Sequence, residues 1–363
     1  MTKIPRKIVK YVLVAINAIC VVGMWACAWT SYLEPQHYPR LSYWGLAFPI
    51  FLVPTVLFTI FWLCTRRRWA LISIVGMLLC AGSVRTYYPI NFPWEPPEGS
   101  LKVISYNINM MGRTDDGRDW KQAGVPWHET PIVQYLLTSE ADIVCCQEAS
   151  YLSDAQVDAT LSETYPYRLQ TSIHHSMYHV LSRHPIVDSG TINYPSSTNG
   201  SVYYHIAVGT DTILVINNHF ESYKLDKTDR EEYTNLIRQP DDGHARENFD
   251  SLSTKLATAT AIRGVQADSV DRFIARSNAK YIIACGDFND ASISYVHYRM
   301  TRHLNDAYTR SGNGPGISYN RSGMYFRIDN ILCSSNIRPY GAYVDTSIRT
   351  SDHYPICCWL ELK

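Results

Sequence analysis

Tyr281-Ile-Ile-Ala-Cys-Gly-Asp-Phe-Asn-Asp290 decides the fold. A short apolar run that stops at a Gly and opens onto Asp and Asn reads as a buried core strand with a turn at its carboxyl end. In layered α/β proteins ligands gather at such strand ends. Asp287 and Asn289 lie two positions apart and share a face if the extended geometry persists. A carboxylate beside an amide suits holding a water, taking its proton and steadying the group it attacks. Taken alone, an Asp-Asn turn that only caps a strand is an equal alternative.

Working outward, the same pattern recurs. Leu101-Lys-Val-Ile-Ser-Tyr-Asn107 is a strand ending in an amide, and Ala141-Asp-Ile-Val-Cys-Cys-Gln-Glu148 is one ending in Gln147 and Glu148. Tyr178 to Arg183, Val202 to Val208 and Thr212 to His219 are further strands, the last ending in Asn218 and His219. Pro131 to Ser139 reads as a helix, and Ala245 to Ser277 as a long helix that Gly264 can break. Phe326 to Cys333 carries Asp329 inside a strand, and Ser351-Asp-His353 leads into the last one. Each polar residue alone has a plain structural reading: a turn Asn, a helix-start Glu, a hydrogen-bonded His. Asp329 is harder to dismiss, because a buried carboxylate demands a partner. Eight such positions in register, Asn107, Glu148, His219, Asp287, Asn289, Asp329, Asp352 and His353, point to one site.

Composition divides the chain near residue 99. Residues 1–99 hold 9 Lys and Arg against 3 Asp and Glu; the remainder holds 24 against 30. The zero total therefore hides +6 before the division and −6 after it. An acidic domain is poorly suited to gripping duplex DNA, which rewards clustered Lys and Arg. None of the 10 cysteines forms a C-x-x-C pair, and all sit in apolar runs, where they read as small buried hydrophobes.

Residues 1–88 read as a membrane anchor with three uncharged or apolar segments, at about 11–29, 41–65 and 69–84. The first two are long enough to span as helices and the third is at the short limit. Lys3, Arg6, Lys7, Lys10 and the run Arg66-Arg67-Arg68 place those ends in the cytoplasm by the positive-inside rule. Three crossings then put the rest outside: a multi-pass protein of a bacterial inner (plasma) membrane, its catalytic domain periplasmic or extracellular. If the third segment fails to cross, the domain is cytoplasmic. Residues 89–100 are Pro-rich and read as a short stiff linker. Residues 101–363 form the second domain.

Six ordered motifs carry a resemblance: Ser105-Tyr-Asn107, Gln147-Glu148, Asn217-Asn-His219, Gly286-Asp-Phe-Asn289, Ile328-Asp329 and Ser351-Asp-His353. With Leu181-Ser-Arg-His-Pro-Ile186, and with Arg263, Gln266 and Ala267 on the long helix, residues 100–363 resemble the endonuclease/exonuclease/phosphatase superfamily. The arrangement with an anchor is similar to a membrane-anchored bacterial branch linked to glycopeptide resistance, which implies cell-envelope substrates.

The resemblance implies a four-layer α/β sandwich, two packed mixed sheets flanked by helices, behind the three-helix anchor. It implies a metal-dependent phosphoric ester hydrolase using Mg²⁺ or Mn²⁺. Glu148 resembles the metal ligand, with Asn107 beside it. Asp287 resembles the residue that aligns or deprotonates water, and Asn289 the one that stabilises the pentacovalent phosphorus. His353 would bind a phosphate oxygen, held by Asp329. His219 would sit over the phosphate or the leaving oxygen, with Asn218 beside it for substrate. Asp352 resembles a second carboxylate near the metal or the water.

A lipid-linked phosphate is the favoured substrate, given the short linker and the acidic domain. An extracytoplasmic nuclease is the alternative, and a non-catalytic binding module comes behind both. A lipid enzyme needs an apolar groove running from Glu148 and His353 to the membrane side; a nuclease needs a basic or aromatic rim. Asp226 to Arg238 reads equally as a helical flap beside the site or a solvated surface helix.

Overall fold

The computed structural model describes residues 6–114, 117–196, 198–224, 245–321 and 324–363. The segment Asp226 to Arg238, expected as a flap or surface helix, lies outside the described residues. Residues 101–363 form two six-stranded mixed sheets packed face to face, with helices on the outer faces. Six of the strands run β1 (Leu101–Asn107), β2 (Ile143–Gln147), β3 (Tyr167–Ile173), β4 (Ser176–Ser182), β5 (Ile186–Ile192) and β6 (Gly200–Val208). Then come β7 (Asp211–His219), β8 (Tyr281–Asp287), β9 (Asn305–Asp306), β10 (Tyr319–Arg321), β11 (Met324–Phe326), β12 (Asp329–Cys333), β13 (Ile337–Val344) and β14 (Ile356–Leu362). One sheet has the order β13-β14-β1-β2-β4-β3 and the other β5-β6-β7-β8-β12-β9. Each has a single parallel pair at its centre, β1 with β2 and β7 with β8. The ends of these pairs open at one pole of the sandwich, and every candidate residue lies there.

The central strands are apolar on both faces because both faces are covered. In β1, Val103 points into the layer between the sheets, while Ile104 and Tyr106 meet the outer helices Pro131–Thr138 and Ala155–Ser162. In β8, Ile283 and Cys285 point inward, while Ile282 and Ala284 meet Ala267, Val270 and Ile274 of the long helix Ala245–Arg276. That helix is continuous through Gly264. The glycine serves packing instead: a Cβ there would lie 3.1 Å from Pro35 of the anchor. The expected strand Phe326 to Cys333 is two pieces, so Asp329 opens β12 rather than sitting within a strand, and it pairs with Asp287 across the ladder. All ten cysteines are free, and the six in strands are buried.

Two N-terminal helices are long and apolar enough to cross a membrane, within Lys7–Tyr32 and Pro39–Thr65. The third segment departs from the expected single span. It is a pair of helices, Arg67–Leu79 and Ala81–Tyr87, bent by 77° at Cys80. Small residues let the helices approach closely. A Cβ on Gly23 would meet the Phe51 ring at 2.4 Å, and one on Gly76 would meet Val21 at 2.6 Å. Trp25 Nε1 donates to Gly76 O at 2.8 Å, and Ser73 Oγ donates to Asn17 Oδ1 at 2.8 Å.

The outer ends of these helices join the sandwich at its site pole. Gly45 lies so close to Ile293 that a Cβ would fall 1.8 Å from its carbonyl oxygen. Tyr43 OH and Ser253 Oγ are 2.9 Å apart, and Arg327 Nη2 donates to Thr86 O at 2.9 Å. The linker is no free spacer, since Asn91 Nδ2 donates to Gly312 O at 2.6 Å and to Thr309 O at 3.2 Å.

His179 in β4 makes stability depend on pH. It is buried, and neither ring nitrogen has a hydrogen-bond partner among the described residues. Burial lowers its pKa to about 4, with Asp158 opposing. Between that value and the unfolded pKa of about 6.5, only the unfolded chain binds the proton, so stability falls as pH falls through this window. Chemical unfolding of the detergent-solubilised chain should lose about 1.4 kcal/mol per pH unit from this group. His179→Met should flatten the slope between pH 6.5 and 4.5; an unchanged slope would refute the assignment.

Candidate active site

Seven of the nine predicted residues converge on one centre, and Asp352 lines the same cavity. Asn107, Glu148 and His353 come from the β14-β1-β2 sheet. His219, Asp287, Asn289 and Asp329 come from the other. Backbone turns aim the acids inward. Gly286 has φ 132°, and a Cβ there would lie 1.9 Å from Asn218 O, so β7 and β8 approach this closely only with glycine. Glu148 and Asn289 follow their strands in the left-handed region, at φ 51° and 50°. Non-glycine residues there are uncommon and cluster at functional sites.

Asp287 sits at the focus. Its Oδ2 accepts from Asn107 Nδ2 and Asn289 Nδ2, each at 3.2 Å, and its Oδ1 accepts from Asn289 N at 2.8 Å. His353 Nε2 and His219 Nε2 lie 3.6 and 3.7 Å from Oδ2. Burial pushes the Asp287 carboxyl up to about 6, with Asp329 adding to the rise and the two imidazoles opposing it. His353 Nδ1 faces Asp329 Oδ2 at 2.9 Å. Burial works against charge on His353, but the carboxylates of Asp329 and Asp287 outweigh it and hold the imidazole well above its ordinary value. His219 goes the other way: burial lowers it more than Asp287 raises it. One imidazole is thus held as a cation and its neighbour is kept neutral.

Asp287, Asp329 and His353 are close enough to share a metal ion. Their contacts argue for a proton network instead. A 2.9 Å Nδ1–Oδ2 separation is a hydrogen bond, and Asp287 is already covered by N–H donors. Glu148 fits a cation better. Its side chain is 33 % exposed, and Asn107 Nδ2 donates to Oε1 at 3.0 Å. Its pKa is raised, by burial first, with Asp352 adding to the rise. Glu148 and Asp352 line the same cavity and feel each other's charge, and their hard oxygens would suit Mg²⁺ or Mn²⁺. Asn107 turns its nitrogen to the acids because Asn109 N donates to its Oδ1 at 3.1 Å.

Asn218 takes no part in the cavity. Alternation along β7 points it away from His219, where its Oδ1 accepts from Ser201 Oγ at 2.7 Å and its Nδ2 donates to Cys285 O at 2.9 Å. It ties β6, β7 and β8 together.

Arg263 is fully buried and acts from behind. Its Nε lies 3.3 Å from Asp290 Oδ2, and Nη1 donates to Glu221 O at 2.9 Å. Gln266 Oε1 accepts from Glu221 N at 2.8 Å. The helix thereby fixes the chain just past His219 and just past Asn289.

The cavity itself holds about 600 Å³. Its lining includes Glu148, His219, Asp287 and His353 together with the apolar Leu252, Leu256, Met324 and Phe326. Trp44, Ala47 and Ile50 of the N-terminal helical segment complete its wall. Sequence reading missed these residues, because apolar side chains in an anchor and a helix carry no sign of a site.

A model of the endonuclease/exonuclease/phosphatase family matches residues 104–353, and one of a domain of unknown function matches residues 7–87. No curated protein matches the chain. Among solved structures, the human nocturnin catalytic domain with bound sulfate is 14 % identical, with a TM-score of 0.51 over 73 % of this chain and 95 % of that one. An endonuclease/exonuclease/phosphatase of Beutenbergia cavernae is 18 % identical, with a TM-score of 0.51 over 72 % of each chain. A mannosyl-6-phosphatase of Bacteroides thetaiotaomicron is 18 % identical, with a TM-score of 0.47 over 72 % of this chain and 100 % of that one.

Arg263→Met leaves Asp290 buried without its counter-charge. Breaking a buried pair from one side typically costs about 3–5 kcal/mol. Chemical unfolding should register that loss. A change below about 1 kcal/mol would mean the pair is not what holds the two loops.

Proposed function

The chain belongs to the endonuclease/exonuclease/phosphatase family and is a phosphoester hydrolase, and from that premise we propose that it cleaves a lipid-linked phosphate at the outer face of a bacterial membrane. One observation carries the substrate class: the cavity holding Asp287 and His353 is walled by Trp44, Ala47 and Ile50 of the anchor. Ile50 is 67 % exposed and heads the apolar surface of Val53, Leu57 and Ile60 along the same helix. An amphiphile can keep its tail against that surface while its phosphate reaches the acids. Among the described lining residues Lys224 is the sole Lys or Arg, and it pairs with Glu221. A nucleic-acid channel needs clustered positive charge to track the backbone, and that is what the described lining lacks, although Tyr43, Trp44 and Tyr319 are there to stack.

Orientation supports an extracytoplasmic domain. The sandwich meets the ends of the helices remote from Lys7, Lys10 and Arg66–Arg68, so the positive-inside rule sets it on the far side. The bent third helix pair returns the chain to that side, where Tyr87 packs on Phe48 at 5.7 Å between ring centroids.

Glu148, with Asp352 close by and Asn107 orienting it, is the place for Mg²⁺ or Mn²⁺. A cation bound by these residues would supply neutralisation of the charge that develops on the phosphoryl oxygens. Asp287 aligns the attacking water and receives its proton, which its raised pKa favours. Asn289 donates its backbone N to Asp287 Oδ1 and its Nδ2 to Asp287 Oδ2 and to Phe220 O at 2.9 Å; it orients the Asp287 carboxylate, and it would reach a phosphoryl oxygen only by exchanging one of these bonds. His353, a cation held by Asp329, binds a phosphate oxygen. Neutral His219 lies between Glu148 and Asp287, at 3.6 and 3.7 Å, and contacts the phosphate or the leaving oxygen.

The test uses the full chain in proteoliposomes with Mg²⁺, offered a phospholipid, an isoprenoid diphosphate, plasmid DNA and a water-soluble phosphodiester. Asp287→Ala should lower turnover by about 10³-fold or more while the far-ultraviolet spectrum stays unchanged. Ile50→Asp should lower lipid turnover by about tenfold and leave the soluble ester unchanged. DNA cleavage without lipid turnover would overturn the lipid reading and make the anchor a means of localisation.

A further inference from the structure

A second, smaller cleft of about 190 Å³ adjoins the cavity and shares Glu148, His219 and Ser222 with it. The two differ in chemistry. The large cavity runs to apolar residues of the N-terminal helices, whereas the small cleft is lined by Ser150, His175, Ser176, Thr198 and Asn199, with Met110 and Met177 beside them. No Lys or Arg lines it among the described residues. It therefore offers hydroxyls, an amide and an imidazole rather than cationic charge. Asn199 donates Nδ2 to Phe220 O at 2.7 Å, which leaves Oδ1 to accept. Ser176 Oγ lies 3.4 Å from His219 Nδ1, so the cleft is in contact with the back of that imidazole.

A phosphate at the junction has one substituent leading to the apolar side. A lipid with a terminal phosphate would leave the polar cleft to water. A second phosphate would enter a cleft with no cationic side chain and with Glu148 at its border. A small neutral polyol meets hydroxyl and amide partners on one part of the lining and packs its carbons against Met110 and Met177 on the rest. At ~30 Å³ per water, the cleft holds about six waters' worth of volume, enough for a glycerol-sized group.

Resting on the lipid-phosphate reading, we propose that this cleft binds the hydroxylated headgroup of a phosphodiester lipid, so that the substrate spans both cavities with its phosphate at Glu148, His219 and His353. Specificity then resides in side chains outside the catalytic set. His175 is an exposed residue of the β3–β4 turn, and Thr198 makes one long hydrogen bond, 3.4 Å to Glu221 Oε2.

The experiment measures lipid consumption by the full-length protein in Mg²⁺-containing proteoliposomes. The probes are phosphatidylglycerol, phosphatidic acid with the same acyl chains, and an isoprenoid diphosphate. Phosphatidylglycerol should be consumed with a kcat/KM about tenfold or more above phosphatidic acid. His175→Leu and Thr198→Val should each raise KM for phosphatidylglycerol several-fold, with phosphatidic acid unchanged as the check on folding. Equal rates on the two phospholipids, or preference for the isoprenoid diphosphate, would overturn the headgroup assignment and leave the lipid reading standing. No turnover of any lipid, with the soluble phosphodiester still cleaved, would overturn both.

Discussion

The site depends on two amides that meet in the dry layer between the sheets. Gln147 Nε2 donates to Asn217 Oδ1 at 2.6 Å, and Asn217 Nδ2 donates to Cys146 O at 3.0 Å. Gln147 belongs to one sheet and Asn217 to the other. Apolar faces alone are tolerant of sliding, since burial is non-directional. A buried amide pair is not tolerant, because each unpaired group costs about 1–3 kcal/mol. The pair sits one residue before Glu148 and two before His219. It therefore registers the acid of one sheet against the imidazole of the other. Asn107 repeats the device at the focus, reaching from β1 to Asp287 on β8. Everything chemical at this pole presupposes that register.

The sequence was legible where physics leaves a one-dimensional trace. A strand buried on both faces must be apolar, and its polar terminus then stands out, which is why Asn107, Glu148, His219 and Asp287 could be read. β3, β5 and β13 were not read. They lie at or near sheet edges and are half exposed, and β13 contains Pro339 and Gly341. Nor did residue type separate Asn218 from His219; only the alternation of β7 against its neighbours turns one toward the outer helix layer and the other into the cavity. The left-handed turn at Glu148 also left no trace, because a Glu there looks like the start of a helix. The break at Cys80 is invisible for a related reason: an apolar run reports burial or lipid, not direction.

The larger blind spot was the relation between the two parts. Composition separates a basic apolar segment from an acidic domain so sharply that they read as cargo and tether. The structure joins them through backbone approach at Gly45, the Tyr43–Ser253 contact and Arg327 on the Thr86 carbonyl. Arg327 also donates to Asp306 Oδ2 at 2.9 Å, and it lies two residues before Asp329. Anchor, buried ion pair and the carboxylate behind His353 are thus parts of one packed unit. Rigid packing transmits displacement, so a shift of the anchor helices reaches the site.

That union resolves an electrostatic difficulty. On the proposed reading, a domain at −6 that faced anionic headgroups would be repelled by them. That repulsion would oppose pressing its site into the bilayer to find a lipid phosphate. With Trp44 and Ile50 already part of the wall, it would have no need to, because the apolar path would be supplied by helices long and apolar enough to sit in a membrane. On the proposed lipid reading, the substrate's tail would follow hydrocarbon into the cavity, and only its phosphate would meet the acids. Repulsion of polyanions would then work for selectivity, since a nucleic acid has charge to bring and no tail to offset it.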